Sequence, residues 1–214
     1  MGNDLKSGLE AAKDHGRSVL PPEVFTVFEA DMARAADETK FAEAGVTVED
    51  FALPGADGET VSLGQLVADG PVVLVFYRGQ WCPFCNLTLR TYQQEVVPEL
   101  AKLGATLAAI SPQTADGSLT TQEKNELDFT VLSDVGNVVS RQLGLTFRVS
   151  DVVREAMSSI GTDLGQVNGT GEWELVYPAV VVVDRDRTIR YVDVHSDYTT
   201  RTEPAAIIEA VKSL

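Results

Sequence analysis

Cys82 and Cys85 are the only cysteines in the chain and stand three residues apart. Residues at that spacing share one face of a helix, so the two sulfurs can approach bonding distance. Pro83 suits the first position of a helix that starts directly after Cys82. Cys82 is then the expected N-cap, and Cys85 lies one turn in. The free N–H groups and the dipole of that terminus favour a thiolate, the nucleophilic form of the residue. The chemistry expected of the pair is a dithiol that forms and loses a disulfide. Zinc would need further ligands, and the two imidazoles, His15 and His195, lie at no zinc-finger spacing from the pair. No metal and no other cofactor is expected. The bland alternative is an inert buried pair.

Other residues qualify as candidates by position. Arg78 and Arg90 are the nearest cations in sequence, and either lowers a thiol pKa if it points inward rather than into solvent. Trp81 is a wall of the site or part of the core. Pro178 opens a late apolar strand, where a cis proline would bring backbone beside the dithiol. Only ~5–6% of X–Pro bonds in folded proteins are cis, so the residues alone leave it trans. His195 reads as a solvated or hydrogen-bonded residue, and Glu123 and Asp134 as surface charges.

The elements that must position these residues follow from pattern. Residues 1–45 read as a helical extension: Leu5, Leu9 and Ala12 recur at helical spacing, Pro21-Pro22 breaks the run, and Val24, Phe25, Phe28, Met32 and Ala35 form a second stripe. That stripe is packing surface for the main domain or a partner subunit. Residues 46–214 read as one α/β domain. Gly55-Ala56-Asp57-Gly58 is a turn, 59–61 a short strand, and Ser62 with Gln65 a capping box over a helix from Leu63 to Val67. Val72 to Tyr77 is apolar and β-rich, as suits a strand buried on both faces. A long helix from Pro83 to about Leu103 should kink or split at Pro98. Strands are expected at 105–110, 129–132, 178–183 and 188–194, the last two as a hairpin. Helices are expected at 120–125, 137–143, 151–160 and 203–214. Residues 161–171 read as a polar, glycine-rich loop whose composition predicts only mobility. Strands alternating with helices, with a late hairpin, give a layered fold around a mixed sheet.

Composition narrows the function. The chain has 214 residues, with 17 Lys+Arg against 32 Asp+Glu and a formal charge of −15. That balance argues against a nucleic-acid partner and against docking on anionic lipid. No apolar run approaches the ~20 residues of a membrane-spanning helix. MGNDLKSGLE has no apolar signal core, so a cytoplasmic location is expected.

The segment Phe76-Tyr77-Arg78-Gly79-Gln80-Trp81-Cys82-Pro83-Phe84-Cys85 resembles the thioredoxin-fold superfamily, and within it the peroxiredoxins of the alkyl hydroperoxide reductase C/thiol-specific antioxidant group. Asp50-Phe51-Ala52-Leu53-Pro54, Ile110-Ser111-Pro112, Val131-Leu132-Ser133-Asp134 and Val182-Val183-Asp184-Arg185-Asp186 extend the resemblance over residues 46–214. It implies a thioredoxin-like three-layer sandwich with a mixed central sheet. It also implies a thiol-dependent antioxidant oxidoreductase that reduces hydroperoxides through a Cys82/Cys85 disulfide cycle. The family's Pro-x-x-x-Thr-x-x-Cys places Cys85 on the peroxidatic cysteine, Cys82 on the Thr and Arg78 on the Pro. The family's catalytic Arg has no counterpart near Tyr177-Pro178. Thioredoxins and glutaredoxins offer the other template, a protein disulfide reductase in which Cys82 attacks and Pro178 is the cis proline. A non-enzymatic redox sensor is the third reading. The resemblance implies a thioredoxin- or glutaredoxin-like reductant, with Arg78, Trp81 and Pro178 at the substrate, and by analogy a homodimer.

Overall fold

The computed structural model describes residues 5–19 and 22–214. Two helices come first, α1 (Leu5–Val19) and α2 (Pro22–Glu38). Pro22 opens α2, while Pro21, the other half of the expected break, lies outside the described residues. The hairpin β1 (Ala52–Pro54) and β2 (Thr60–Ser62) leads into α3 (Leu63–Leu66). The Ser62/Gln65 capping box forms there as expected.

Next is β3 (Val72–Phe76), every residue of which is buried, and then α4 (Pro83–Thr91). The long helix does split. A π-helical turn spans Tyr92–Val96, and α5 (Val97–Lys102) restarts with Pro98 in its first turn. Proline donates no N–H and crowds the preceding turn, so it is tolerated only at such a restart. β4 (Thr106–Ser111), α6 (Ala115–Asn125), β5 (Thr130–Ser133) and α7 (Val138–Gln142) follow.

The chain then makes β6 (Thr146–Arg148), α8 (Asp151–Ser159), α9 (Leu164–Val167) and β7 (Glu174–Val176). Here the structure departs from the sequence expectation. The glycine-rich stretch holds α9, capped by Asp163, and β6 pairs with β7 in a separate antiparallel ribbon. Both pieces are too short for periodicity to reveal. The chain closes with β8 (Ala179–Val183), β9 (Ile189–Val194) and α10 (Pro204–Lys212).

The central sheet has the order β5-β4-β3-β8-β9. β3 pairs parallel with β4 and antiparallel with β8, so the sheet is mixed. Alternate residues of β3 feed two cores. Val73 and Val75 join α1, α2, α4 and α10 on one side; Val72, Leu74 and Phe76 join β1, α3 and α7 on the other. This is the three-layer, thioredoxin-like sandwich. Val24, Phe25, Phe28, Met32 and Ala35 are all buried within the chain, in the same core as both cysteines.

Met32 is 1% exposed. Met32→Ala should therefore cost about 2–5 kcal/mol in urea denaturation, within a single cooperative transition. A separate early transition would show that α1 and α2 melt independently of the sheet.

Candidate active site

The site is built where β3 ends. Gly79 has φ +135, and a Cβ there would lie 2.8 Å from Trp81 Nε1 and 3.1 Å from Gln113 Oε1. Glycine is thus what lets the chain turn from the sheet into α4. The buried Gln113 accepts from Gln80 N at 2.9 Å and donates to Tyr77 Oη at 3.1 Å, which fixes the turn. Cys82 is the N-cap of α4 and Pro83 its first residue, as expected. Both cysteines are free thiols and both are buried.

The structure supplies a residue that sequence reading missed. Arg201, in the loop between β9 and α10, donates from Nη2 to Cys85 Sγ at 3.1 Å. Its Nη1 donates to the carbonyls of Tyr198 at 2.6 Å and Thr200 at 2.5 Å, so the guanidinium is held on two sides. The partners are 116 residues apart in sequence, so no local motif joins them. One signal was present: a cation just ahead of a helix N-terminus opposes the helix dipole and calls for another reason to be there. Tyr92, in the π-helical turn, donates to the Thr202 carbonyl at 2.6 Å and anchors the same loop to the cysteine helix. π-Turns of this kind recur at functional sites.

The two sulfurs are electrostatically unlike. Burial pushes the Cys85 thiol up. A hydrogen bond from Cys82, the Arg201 charge, the Arg78 backbone N–H and the Arg78 charge together outweigh it and bring Cys85 down to about 5. Cys82 is held well above the usual thiol value, first by burial, then by its hydrogen bond to Cys85 and by the Cys85 charge. The surroundings thus favour the thiolate at Cys85 and the thiol at Cys82.

The residues singled out by sequence divide. Arg78 points inward and is buried, its Cζ 4.9 Å from the ring centroids of both Trp81 and Tyr198 and 5.8 Å from Phe28. Trp81 packs against Arg78, with its indole N–H buried and without a hydrogen-bond partner. Arg90 turns away and donates to Asn125 Oδ1 at 2.8 Å. Pro178 is trans, as the residues alone suggested, there being no cis peptide bond among the described residues; the cis proline of the thioredoxin template is not found. Its carbonyl accepts from His195 N at 2.9 Å, as part of strand pairing. Asp134 is buried rather than exposed, accepting from the backbone of Val139 and Ser140.

A small cavity of about 10 Å³ lies against Cys85, lined among others by Thr88, Tyr92, His195, Arg201 and Thr202. That is roughly the space of one water. His195 contacts Thr200 Oγ1 at 2.8 Å and Thr202 Oγ1 at 3.2 Å, and burial lowers its pKa despite Asp193 nearby. A wider groove of about 410 Å³ opens on the other side of Arg201, between Lys6, Leu9 and Lys13 of α1 and the loop at Thr199. Among the described residues no cluster of His, Cys, Asp or Glu could hold a metal.

Residues 44–192 match the AhpC/TSA family. Rv1608c of Mycobacterium tuberculosis is 33% identical over 101 residues, covering 47% of this chain and 65% of that protein. The chloroplastic peroxiredoxin Q of Triticum aestivum is 35% identical over 95 residues, covering 44% of this chain and 43% of that protein. The match thus spans less than two thirds of either relative. Among solved structures, peroxidoxin BcpB from Mycobacterium tuberculosis superposes with a TM-score of 0.63 at 24% identity, over 80% of this chain and 96% of that one. Peroxiredoxin Q of Xanthomonas campestris gives a TM-score of 0.61 at 14% identity, over the same shares. At these identities the superpositions speak for the fold.

Thiolate absorbance at 240 nm should show one sulfur of the reduced protein ionising near pH 5. The second should stay protonated through neutral pH. Arg201→Gln should move the first step upward; a first step already in the ordinary thiol range in the unmodified protein would refute the assigned thiolate.

Proposed function

Because this chain belongs to the AhpC/TSA family, we propose that it is a thiol peroxidase in which Cys85 attacks a hydroperoxide and Cys82 then closes a disulfide. The observation that carries this reading is the 3.1 Å hydrogen bond from Arg201 Nη2 to Cys85 Sγ. It supports Cys85 as the ionised sulfur and sets a held guanidinium beside it. The Cys85 thiolate attacks one peroxide oxygen and the O–O bond breaks. Sulfur is oxidised to Cys85–SOH, and the leaving alkoxide or hydroxide takes a proton from solvent to become an alcohol or water. Donors preorganised on the developing negative oxygen speed such a step, and Arg201 is placed to supply them.

Cys82 then attacks the sulfenic sulfur. The S–O bond breaks, hydroxide leaves with the thiol proton as water, and the Cys82–Cys85 disulfide forms. An external dithiol of thioredoxin or glutaredoxin type reduces it, and becomes a disulfide itself. Both sulfurs come from one chain, and the α2 stripe is covered within that chain. The cycle therefore needs no cysteine from a second subunit, and a homodimer is not required. The cavity beside Cys85 is too small for a hydroperoxide as it stands, and the groove beyond Arg201 is the candidate route of approach. Among the described residues no helix is long and apolar enough to cross a membrane. We assign the work to a reducing aqueous compartment, with the cytosol as the first choice. The disulfide-reductase reading has less support, because it requires Cys82, the protonated sulfur, to attack first.

Stopped-flow Trp fluorescence of the reduced protein with hydrogen peroxide, and then an organic hydroperoxide, tests this. Wild type should oxidise far faster than free cysteine. Cys85→Ser should abolish the reaction. Cys82→Ser should keep the first phase and stop at a sulfenic acid trapped by dimedone. Arg201→Gln should slow the first phase by on the order of 10²–10³. Wild-type oxidation no faster than free cysteine would sink the proposal and return the disulfide-reductase and sensor readings.

A further inference from the structure

Arg78 carries a full charge yet is 2% exposed. Its Nε and Nη2 are buried and have no hydrogen-bond acceptor. Arg201 differs, with donors placed on Cys85 and on two carbonyls. A guanidinium buried with idle donors is costly, and such groups call for an explanation of their own. The rings of Trp81, Tyr198 and Phe28 surround Arg78, so its charge is kept inside rather than released to solvent. Its field falls first on Cys82 and then on Cys85, whereas that of Arg201 falls first on Cys85 and then on Cys82. Two sulfurs and two cations therefore form two pairs. Only one of them, Arg201 with Cys85, is joined by a side-chain hydrogen bond at rest.

The chemistry supplies the occasion for the second. At rest, Cys82 keeps its proton because it donates to the Cys85 thiolate and sits beside that negative charge. Oxidation makes Cys85 a neutral sulfenic acid, which removes both the acceptor and the charge. The groups then facing Cys82 are Arg78 ahead of α4, the sulfenic acid within α4, and Arg201 and Tyr198 in the loop before α10. α2 presents the Phe28 ring to Arg78.

We propose that Arg78 is the positioning residue of the resolving step, holding the Cys82 thiolate that exists only after Cys85 has been oxidised. This rests on the peroxidase reading above. The Cys82 thiolate forms the S–S bond, the Cys85 S–O bond breaks, and the hydroxide leaves with the proton that Cys82 gave up, as water. The electrons come from the Cys82 sulfur, so no further reductant enters until the disulfide is recycled.

The test uses the full chain as wild type, Arg78→Gln and Arg78→Lys, mixed with hydrogen peroxide at pH 8. Fluorescence follows two phases, sulfenic acid and then disulfide, and dimedone trapping with mass spectrometry assigns them. Arg78→Gln should slow the second phase by at least about tenfold, the least that one neighbouring charge does to a thiolate population. The first phase should change by less. Sulfenic acid should accumulate and pass to sulfinic acid under excess peroxide. Arg78→Lys should restore part of the second-phase rate. A folded Arg78→Gln protein that closes its disulfide at the wild-type rate overturns the proposal, as does a lysine variant no faster than glutamine. Should Arg78→Gln not fold, the wild-type second phase decides. Its rate should hold as pH drops at least a unit below the ordinary thiol range. A tenfold fall per unit starting at about pH 8.5 overturns the proposal. A wild-type first phase no faster than free cysteine is a separate result, and overturns the peroxidase reading and this one with it.

Discussion

The hydrogen bond between Arg201 and Cys85, 3.1 Å long, joins a buried cation to a buried sulfur. Each group is costly to bury alone. A guanidinium without an anion, or a thiolate without a cation, faces a desolvation penalty of several kcal/mol in a dry interior. Together they make the site possible, and burial strengthens the bond because water cannot screen it. The apolar cover of Leu5, Leu9, Phe28 and Phe84 is therefore part of the electrostatics as well as part of the core.

Much of the surrounding structure meets the demands of that contact. β3 carries the chain to the end of the sheet, Gly79 turns it, and Gln113 fixes the turn. Pro83 starts α4 where the cysteines can use its N-terminus. The loop that bears Arg201 has no regular structure of its own, and it is held from outside. Tyr92 anchors Thr202, and the Asp193 carboxylate accepts from Thr202 Oγ1 at 2.8 Å. On the far side, Lys13 of α1 donates to Thr199 Oγ1 at 3.2 Å. The N-terminal helices thus contact the loop as well as cover the sulfurs.

What could be read from sequence was what is encoded locally. The β-rich run before the cysteines, the Ser62/Gln65 capping box, the Pro83 helix start and the break near Pro98 each depend on neighbours within a few residues, and each formed. The β6–β7 ribbon was not legible, because strands of three residues carry no periodicity and their pairing spans 146 to 176. Arg201 and His195 were hard to read for a related reason. Their roles come from tertiary contacts that bring the β9–α10 loop over α4, and the one local signal, a cation just ahead of α10, does not say what it meets. Arg78 lay between these cases. Its position beside the pair was visible, but whether it pointed inward depended on three rings, two of them distant in sequence.

The same charges constrain the proposed cycle as a whole. At rest the cluster holds two guanidiniums and one sulfur anion, and oxidation of Cys85 to a neutral sulfenic acid lets that anion pass to Cys82. Up to this point the count of charges is unchanged, so the interior need not reorganise. Disulfide formation is different, since it removes the sulfur anion and leaves Arg78 and Arg201 facing a neutral bond. Two buried cations without that counter-charge repel each other, in keeping with Arg78 and Arg201 already acting on one another at rest. In the proposed cycle the disulfide state is thus the one in which the two buried guanidiniums lack a sulfur counter-charge, and return of electrons to the sulfurs restores it.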